Sequence, residues 1–164
     1  MNQAVKQRLL FFVKFVIGIC AAIAILSLAI VDADVVRPFS VIQTRAAAVI
    51  LRAAHQDVHA SGTLLAQRAY AVDVKNGCNG IEALALLVVA IGAFPAPWRA
   101  RLLGIAVGAV LLVGVNIIRI VSLFVILRDY PKAFEFSHVV VWQVVLFLLV
   151  VAFFVKWSGR YADR

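Results

Sequence analysis

The sequence predicts an all-α polytopic membrane protein with about four transmembrane helices, and three observations carry that reading. Of the 164 residues, 65% are hydrophobic and only 15% are charged, far from the roughly half-apolar, quarter-charged make-up of a soluble domain. Mean hydropathy is +1.03. Long apolar runs recur along the chain, and a hydrocarbon core about 30 Å thick needs roughly 20 apolar residues per helix. The length therefore holds four spans, one modest extramembrane segment and a single domain over 1–164.

The first span is expected at about 9–31. It is interrupted only by Lys14, which can snorkel to nearby headgroups. Its apolar core is longer than that of a cleaved signal peptide and runs into Asp32-Ala33-Asp34 without a small-residue cleavage site, so it is expected to stay attached. The second, at about 78–98, has a short apolar run, Ile81 to Phe94, ended by Pro95 and Pro97. The third, at about 102–127, carries Asn116 and Arg119 near its distal end. The fourth, at about 138–157, closes on Lys156, Trp157 and Arg160 as interfacial anchors.

Residues 32–77 form the one sizeable extramembrane piece. Phe39, Ile42, Val49, Ile50 and Ala53 recur at helical spacing between Pro38 and His55, with Gln43, Arg45, Arg52 and Gln56 largely elsewhere around the wheel. That pattern predicts an amphipathic helix lying on the membrane. After Ser61-Gly62, Thr63 to Ala66 and Tyr70 to Val74 read as extended, a short β-hairpin that delivers the chain to Cys78.

The net charge of +8 is spread beside hydrophobic runs and forms no block of five or six like charges, so lipid headgroups and not nucleic acid are the expected partner. Lys6 and Arg8, the Arg99/Arg101 turn, and Lys156, Arg160 and Arg164 fall on one side of a four-span layout. By the positive-inside rule that side is cytoplasmic. Cys78, Arg119 and His138 then converge from three segments on the outer face.

A thiol, an imidazole and a fixed cation are the parts of an acyl-transfer site. In Asn76-Gly77-Cys78-Asn79-Gly80-Ile81-Glu82, Asn79 and Glu82 have capping-box spacing, which puts Cys78 just outside a helix N-terminus where the thiolate is favoured. Gly77 and Gly80 leave room for a substrate backbone. Arg119 is costly inside a bilayer and is a functional candidate for that reason. Asn116, on the same helical face, is placed to hold its guanidinium, and the arginine would donate to a developing oxyanion. Ser137 is a plausible N-cap that sets His138 in the first turn of the last span, and Trp142 reads as an anchor.

Other features stay structural. Cys20, mid-span, is separated from Cys78 by roughly 15 Å of depth and is not expected to pair with it. His55 and His59 have the spacing of a metal pair but no third or fourth ligand, so neither a metal nor a cofactor is expected. A redox protein would need cysteines at one depth or paired axial histidines. A non-catalytic assembly factor or channel subunit is the alternative, but it leaves the Arg, capped Cys and His without a purpose.

At these residues the chain resembles the exosortase/archaeosortase family. Asn76 to Glu82 is similar to its cysteine motif, Asn116-Ile117-Ile118-Arg119-Ile120 to its arginine motif, and Phe134 to His138 with Trp142-Gln143 to its histidine region. The short length and the wording around His138 are most similar to the compact exosortase H branch. The resemblance implies a membrane-embedded cysteine protease/transpeptidase with Cys78, Arg119 and His138 catalytic and Asn79, Glu82 and Asn116 in support. It implies a site on the outer face of the inner membrane, a thioacyl-enzyme, and exported substrates ending in a short Ile-Pro-Thr-Leu-like motif, a membrane helix and a basic tail. Larger relatives have more spans and an extra domain that this chain lacks.

Overall fold

The computed structural model describes residues 3–68 and 70–161; Arg164, counted above with the C-terminal cations, lies outside them. Helix α1 (Gln3–Leu26) is the first span. It stops short of the expected Val31: the Ser27 hydroxyl donates to the Ile23 carbonyl at 2.8 Å, and Leu28 turns extended. A serine bonded back to its own helix competes with the next backbone bond and ends the run. The chain resumes in α2 (Ala29–Val31), a π-turn over Asp32–Val36, and α3 (Arg37–Ala53).

The amphipathic helix expected over Pro38 to His55 is α3, and it has two working faces. Ile42, Val49 and Ile50 point outward, whereas Ser40, Gln43, Thr44, Ala47, Ala48 and Leu51 are buried. The inner face is narrow because its residues are small or amide-bearing, which lets α3 pack closely. A three-stranded antiparallel sheet follows: β1 (His59–Ser61), β2 (Leu64–Gln67) and β3 (Tyr70–Asp73), in that order. The expected hairpin is its β2–β3 half, with Leu65 opposite Val72 and both buried. His55 ends up with positive φ after α3 and His59 sits on β1, so the two do not share a helical face.

Helix α4 (Ile81–Ala93) is the helical part of the second expected span, about 78–98. Its 13 residues reach only about 20 Å, short of a hydrocarbon core of about 30 Å. Gly80 in a left-handed conformation starts it, and extended Phe94 before Pro95 stops it. Next, α5 (Trp98–Asp129) runs 32 residues, about 48 Å, and outreaches the bilayer. After it, α6 (Pro131–Phe136), a π-turn over Ser137–Val141 and α7 (Trp142–Ser158) form one continuous helix. The last span thus begins about two turns before Ser137, and Ser137 is no N-cap; Pro131 at the first turn sets the start. Three helices of spanning length among the described residues, plus the shorter apolar α4, make this an all-α polytopic membrane protein.

Two cores stack along α5. One gathers Leu87, Ile91, Leu112, Leu146, Val150 and Trp157 between α4, α5 and α7. The other joins Ala47, Leu51, Leu65, Val74 and Cys78 to Ile120, Leu123 and Phe124. The far part of α5 is therefore the post on which α3 and the sheet are mounted. Gly104 and Gly108 form a Gly-x-x-x-Gly face, but it is used internally: a Cβ at 104 would run into the Trp157 indole, and one at 108 into Leu87 and Phe153.

Candidate active site

The turn that carries Cys78 is built before any side chain reaches it. The Lys75 carbonyl accepts from the backbone N–H groups of both Cys78, at 2.9 Å, and Asn79, at 3.0 Å. Gly77 and Gly80 both have positive φ, +83° and +71°, a region costly for any residue with a Cβ. At Gly80 space matters too, since a Cβ would lie 2.9 Å from the Asn116 amide.

The cap of α4 differs from the expected box by one residue. Gly80, not Asn79, is the N-cap; Asn79 Oδ1 accepts from the Ile81 N–H at 3.1 Å, and Glu82 Oε1 from the Gly77 N–H at 2.9 Å. The reason is that the Asn79 N–H is already committed to Lys75, so Glu82 reaches past it to the next free amide. Asn79 and Glu82 thus do tie the cysteine turn to the helix, on shifted partners.

Three consecutive carbonyls of this turn each accept from a different side chain. Arg119 Nη2 donates to Gly77 O at 2.8 Å, Asn116 Nδ2 to Cys78 O at 3.0 Å, and Gln43 Nε2 to Asn79 O at 2.8 Å. Asn116 also donates to Gln43 Oε1 at 2.8 Å, and Asn79 Nδ2 to Ser40 Oγ at 3.0 Å. Asn116 was expected to hold the Arg119 guanidinium; instead it holds the cysteine's own carbonyl. One turn apart on α5, the amide and the guanidinium are side by side on neighbouring carbonyls and do not pair with each other.

Arg119 is 1% exposed and reaches a second segment, donating from Nη2 to His138 O at 3.3 Å. The π-turn over Ser137–Val141 explains how a carbonyl inside a continuous helix accepts from outside, because the widened turn disturbs the regular ladder there. The His138 ring is half-buried and stacks on Phe134, 5.7 Å between centroids at 19°. Arg119 Nε is buried without a hydrogen-bond partner. Arg119 thus links the turn that bears Cys78 to the helix that bears His138, through the carbonyls of Gly77 and His138.

Cys78 is a free thiol, 5% exposed. Burial pushes its pKa up, the Arg119 charge pulls it back down, and Glu82 adds a smaller upward push. The resting group is a thiol, so chemistry here calls for a base to take its proton. Beside the turn, a cavity of about 470 Å³ is lined by Gly77, Gly80, Glu82, Arg119 and Gln143 together with apolar residues of α4, the π-turn and α7; the side chains of Cys78 and His138 are not part of its lining.

The sequence was compared with known families. The family model described as Transmembrane exosortase (Exosortase_EpsH) matches residues 4–155, nearly the whole chain. The chain belongs to the exosortase family. No curated protein and no solved structure matches it. In this exosortase Cys78 and Asn79 lie in the turn, Glu82 in the first turn of α4, Asn116 and Arg119 on α5, and His138 at the π-turn, where its backbone carbonyl meets Arg119.

Two residues bonded to the cysteine turn were missed in the sequence, Gln43 and Ser40. The signal was available: Ser40, Gln43, Thr44, Ala47, Ala48 and Leu51 recur at helical spacing, a small and polar stripe opposite the apolar one. Reading the apolar stripe as the functional face hid it. Cys20 is exposed on α1, away from the site.

Proposed function

We propose that this exosortase is a cysteine protease/transpeptidase that cleaves the C-terminal sorting signal of exported proteins at the outer face of the inner membrane. The observation that carries the proposal is the clamp of Arg119, Asn116 and Gln43 on the carbonyls of residues 77, 78 and 79. A backbone so constrained fixes the direction of one side chain, that of Cys78, while Arg119 draws in the helix that bears His138.

In the proposed reaction His138 takes the Cys78 proton, and the thiolate attacks the scissile carbonyl carbon to form a C–S bond. The negative charge that develops on the carbonyl oxygen is met by Arg119, whose buried Nε has a donor free. The intermediate collapses, the C–N bond breaks, and the leaving amine takes the proton from His138. The thioacyl-enzyme is then resolved by an amine or by water, which regenerates the thiol. Gly77 and Gly80 line the cavity beside the turn, and the segment that follows the scissile bond would descend along its apolar wall between α4 and α7.

The test is co-expression with an exported protein that ends in a short motif, a membrane helix and a basic tail. Loss of that tail with wild-type enzyme, and its retention with Cys78→Ala, is the expected outcome. Retention with both would remove the activity from this chain.

A further inference from the structure

A second groove lies at the opposite end of the bundle, unconnected with the proposed chemistry. It runs between α5 and α7 with a volume of about 440 Å³. One wall is Ala100, Leu103, Gly104, Val107 and Leu111, a single face of α5; Leu149, Ala152 and Phe153 form the other. From residue 100 to 111 the groove is about 16 Å long, and Gly104 is about 22 Å along α5 from Arg119.

The two ends of this groove differ in chemistry. Toward Leu111 it is wholly apolar. At the other end stand Lys156 and Arg160, one turn apart on the last helix and just beyond it, with Trp157 and Tyr161 beside them. Both cations are exposed, and neither makes a salt bridge among the described residues. The first turn of α5 begins at the same level with no side-chain cap and no acidic residue, so its amides add to the positive end. Absence of a side chain at Gly104 lets the Trp157 indole pack closely against α5, where both residues line the groove.

We infer that this groove binds one anionic phospholipid, its phosphate between Lys156 and Arg160 and one acyl chain along α5 toward Leu111. Charge complementarity selects the occupant. A neutral helix would leave two cations facing nothing, and a soluble anion would leave about 16 Å of apolar wall uncovered. A phospholipid with net negative charge satisfies both ends, and each juxtamembrane cation adds about fivefold in affinity for such a surface.

The experiment is native mass spectrometry of the full chain released from mixed micelles that contain dioleoyl-phosphatidylglycerol and dioleoyl-phosphatidylcholine in equal amounts. The expected result is one retained phosphatidylglycerol. The Lys156→Gln/Arg160→Gln pair should weaken it about thirtyfold, and Ala152→Phe, which fills the groove without touching the charges, should displace it as well. Lys6→Gln/Arg8→Gln removes two cations of α1 outside the groove and should change nothing. Equal retention of both lipids overturns the inference, as does equal loss from the α1 pair. Survival of the adduct in Ala152→Phe, or its displacement by millimolar inorganic phosphate, would mean an anion site without a chain groove and would overturn it too.

Discussion

Arg119 donates a hydrogen bond from Nη2 to the carbonyl oxygen of Gly77 at 2.8 Å, and the same nitrogen reaches His138 O at 3.3 Å. One planar group therefore sets the spacing between the cysteine turn and the π-turn. Lysine would keep the charge but lose the rigid planar fork and with it the free Nε donor. Arg119→Lys should lose most cleavage, by two or more orders of magnitude if the group also meets the oxyanion. Arg119→Gln also removes the charge that pulls the Cys78 pKa down, so the midpoint of Cys78 alkylation against pH should move up. Near-normal cleavage by Arg119→Lys would reduce the residue to a membrane anchor.

Cys78→Ala and Cys78→Ser should both abolish cleavage while expression and membrane insertion persist, because neither supplies a thiolate. The site is small and buried, 5% exposed, so both replacements fit. Cleavage in membranes, read by the mass of the released fragment, is the measurement. His138→Ala should cost about 10²–10⁴-fold by loss of proton transfer, and its enzyme should carry no large trapped acyl adduct by intact mass.

Gln43 bridges Asn116 and the Asn79 carbonyl with no exposure to solvent. Gln43→Leu strands one buried carbonyl and one buried amide, at about 1–3 kcal/mol each. The expected signature is slower cleavage with a smaller change in substrate affinity, since the turn would lose its aim before its shape. A double-mutant cycle with Asn116→Ala should show coupling, because both act on the same stretch of backbone. Additive losses would separate Gln43 from the site.

Gly80 and Gly62 share positive φ, +71° and +59°, yet differ in surroundings. Alanine at 62 meets nothing within 4 Å, whereas at 80 its Cβ would sit 2.9 Å from the Asn116 amide. Backbone strain alone predicts about 1–2 kcal/mol at either position. Gly80→Ala should lower thermal stability more than Gly62→Ala and, unlike it, impair cleavage. Equal effects would show that only the backbone conformation matters at residue 80.

The topology prediction needs an exposed reporter, since Cys78 itself is buried. Lys75 is exposed three residues earlier. In a chain lacking both native cysteines, Lys75→Cys should label in intact cells with an impermeant thiol reagent. Labelling only after the inner face is opened would invert the orientation read from the loop charges.

Much of this protein was legible before any folding was considered. Composition and apolar run length determined an all-α membrane protein, because a bilayer forces backbone bonding within each segment. The intramembrane arginine, the glycine-flanked cysteine and the late histidine stood out for the same reason: each is expensive or special in that setting. What the sequence could not decide was partnership. Whether Asn116 would hold Arg119 or the Cys78 carbonyl, whether α4 would cross alone, and whether α3 would turn Gln43 inward all depend on contacts far apart in sequence, Gln43 and Asn116 being 73 residues apart. Those choices were made by packing. The small polar face of α3 and the small residues of the cysteine turn fit closely against the long α5, and the buried carbonyls there had to find donors, which only the assembled structure could supply.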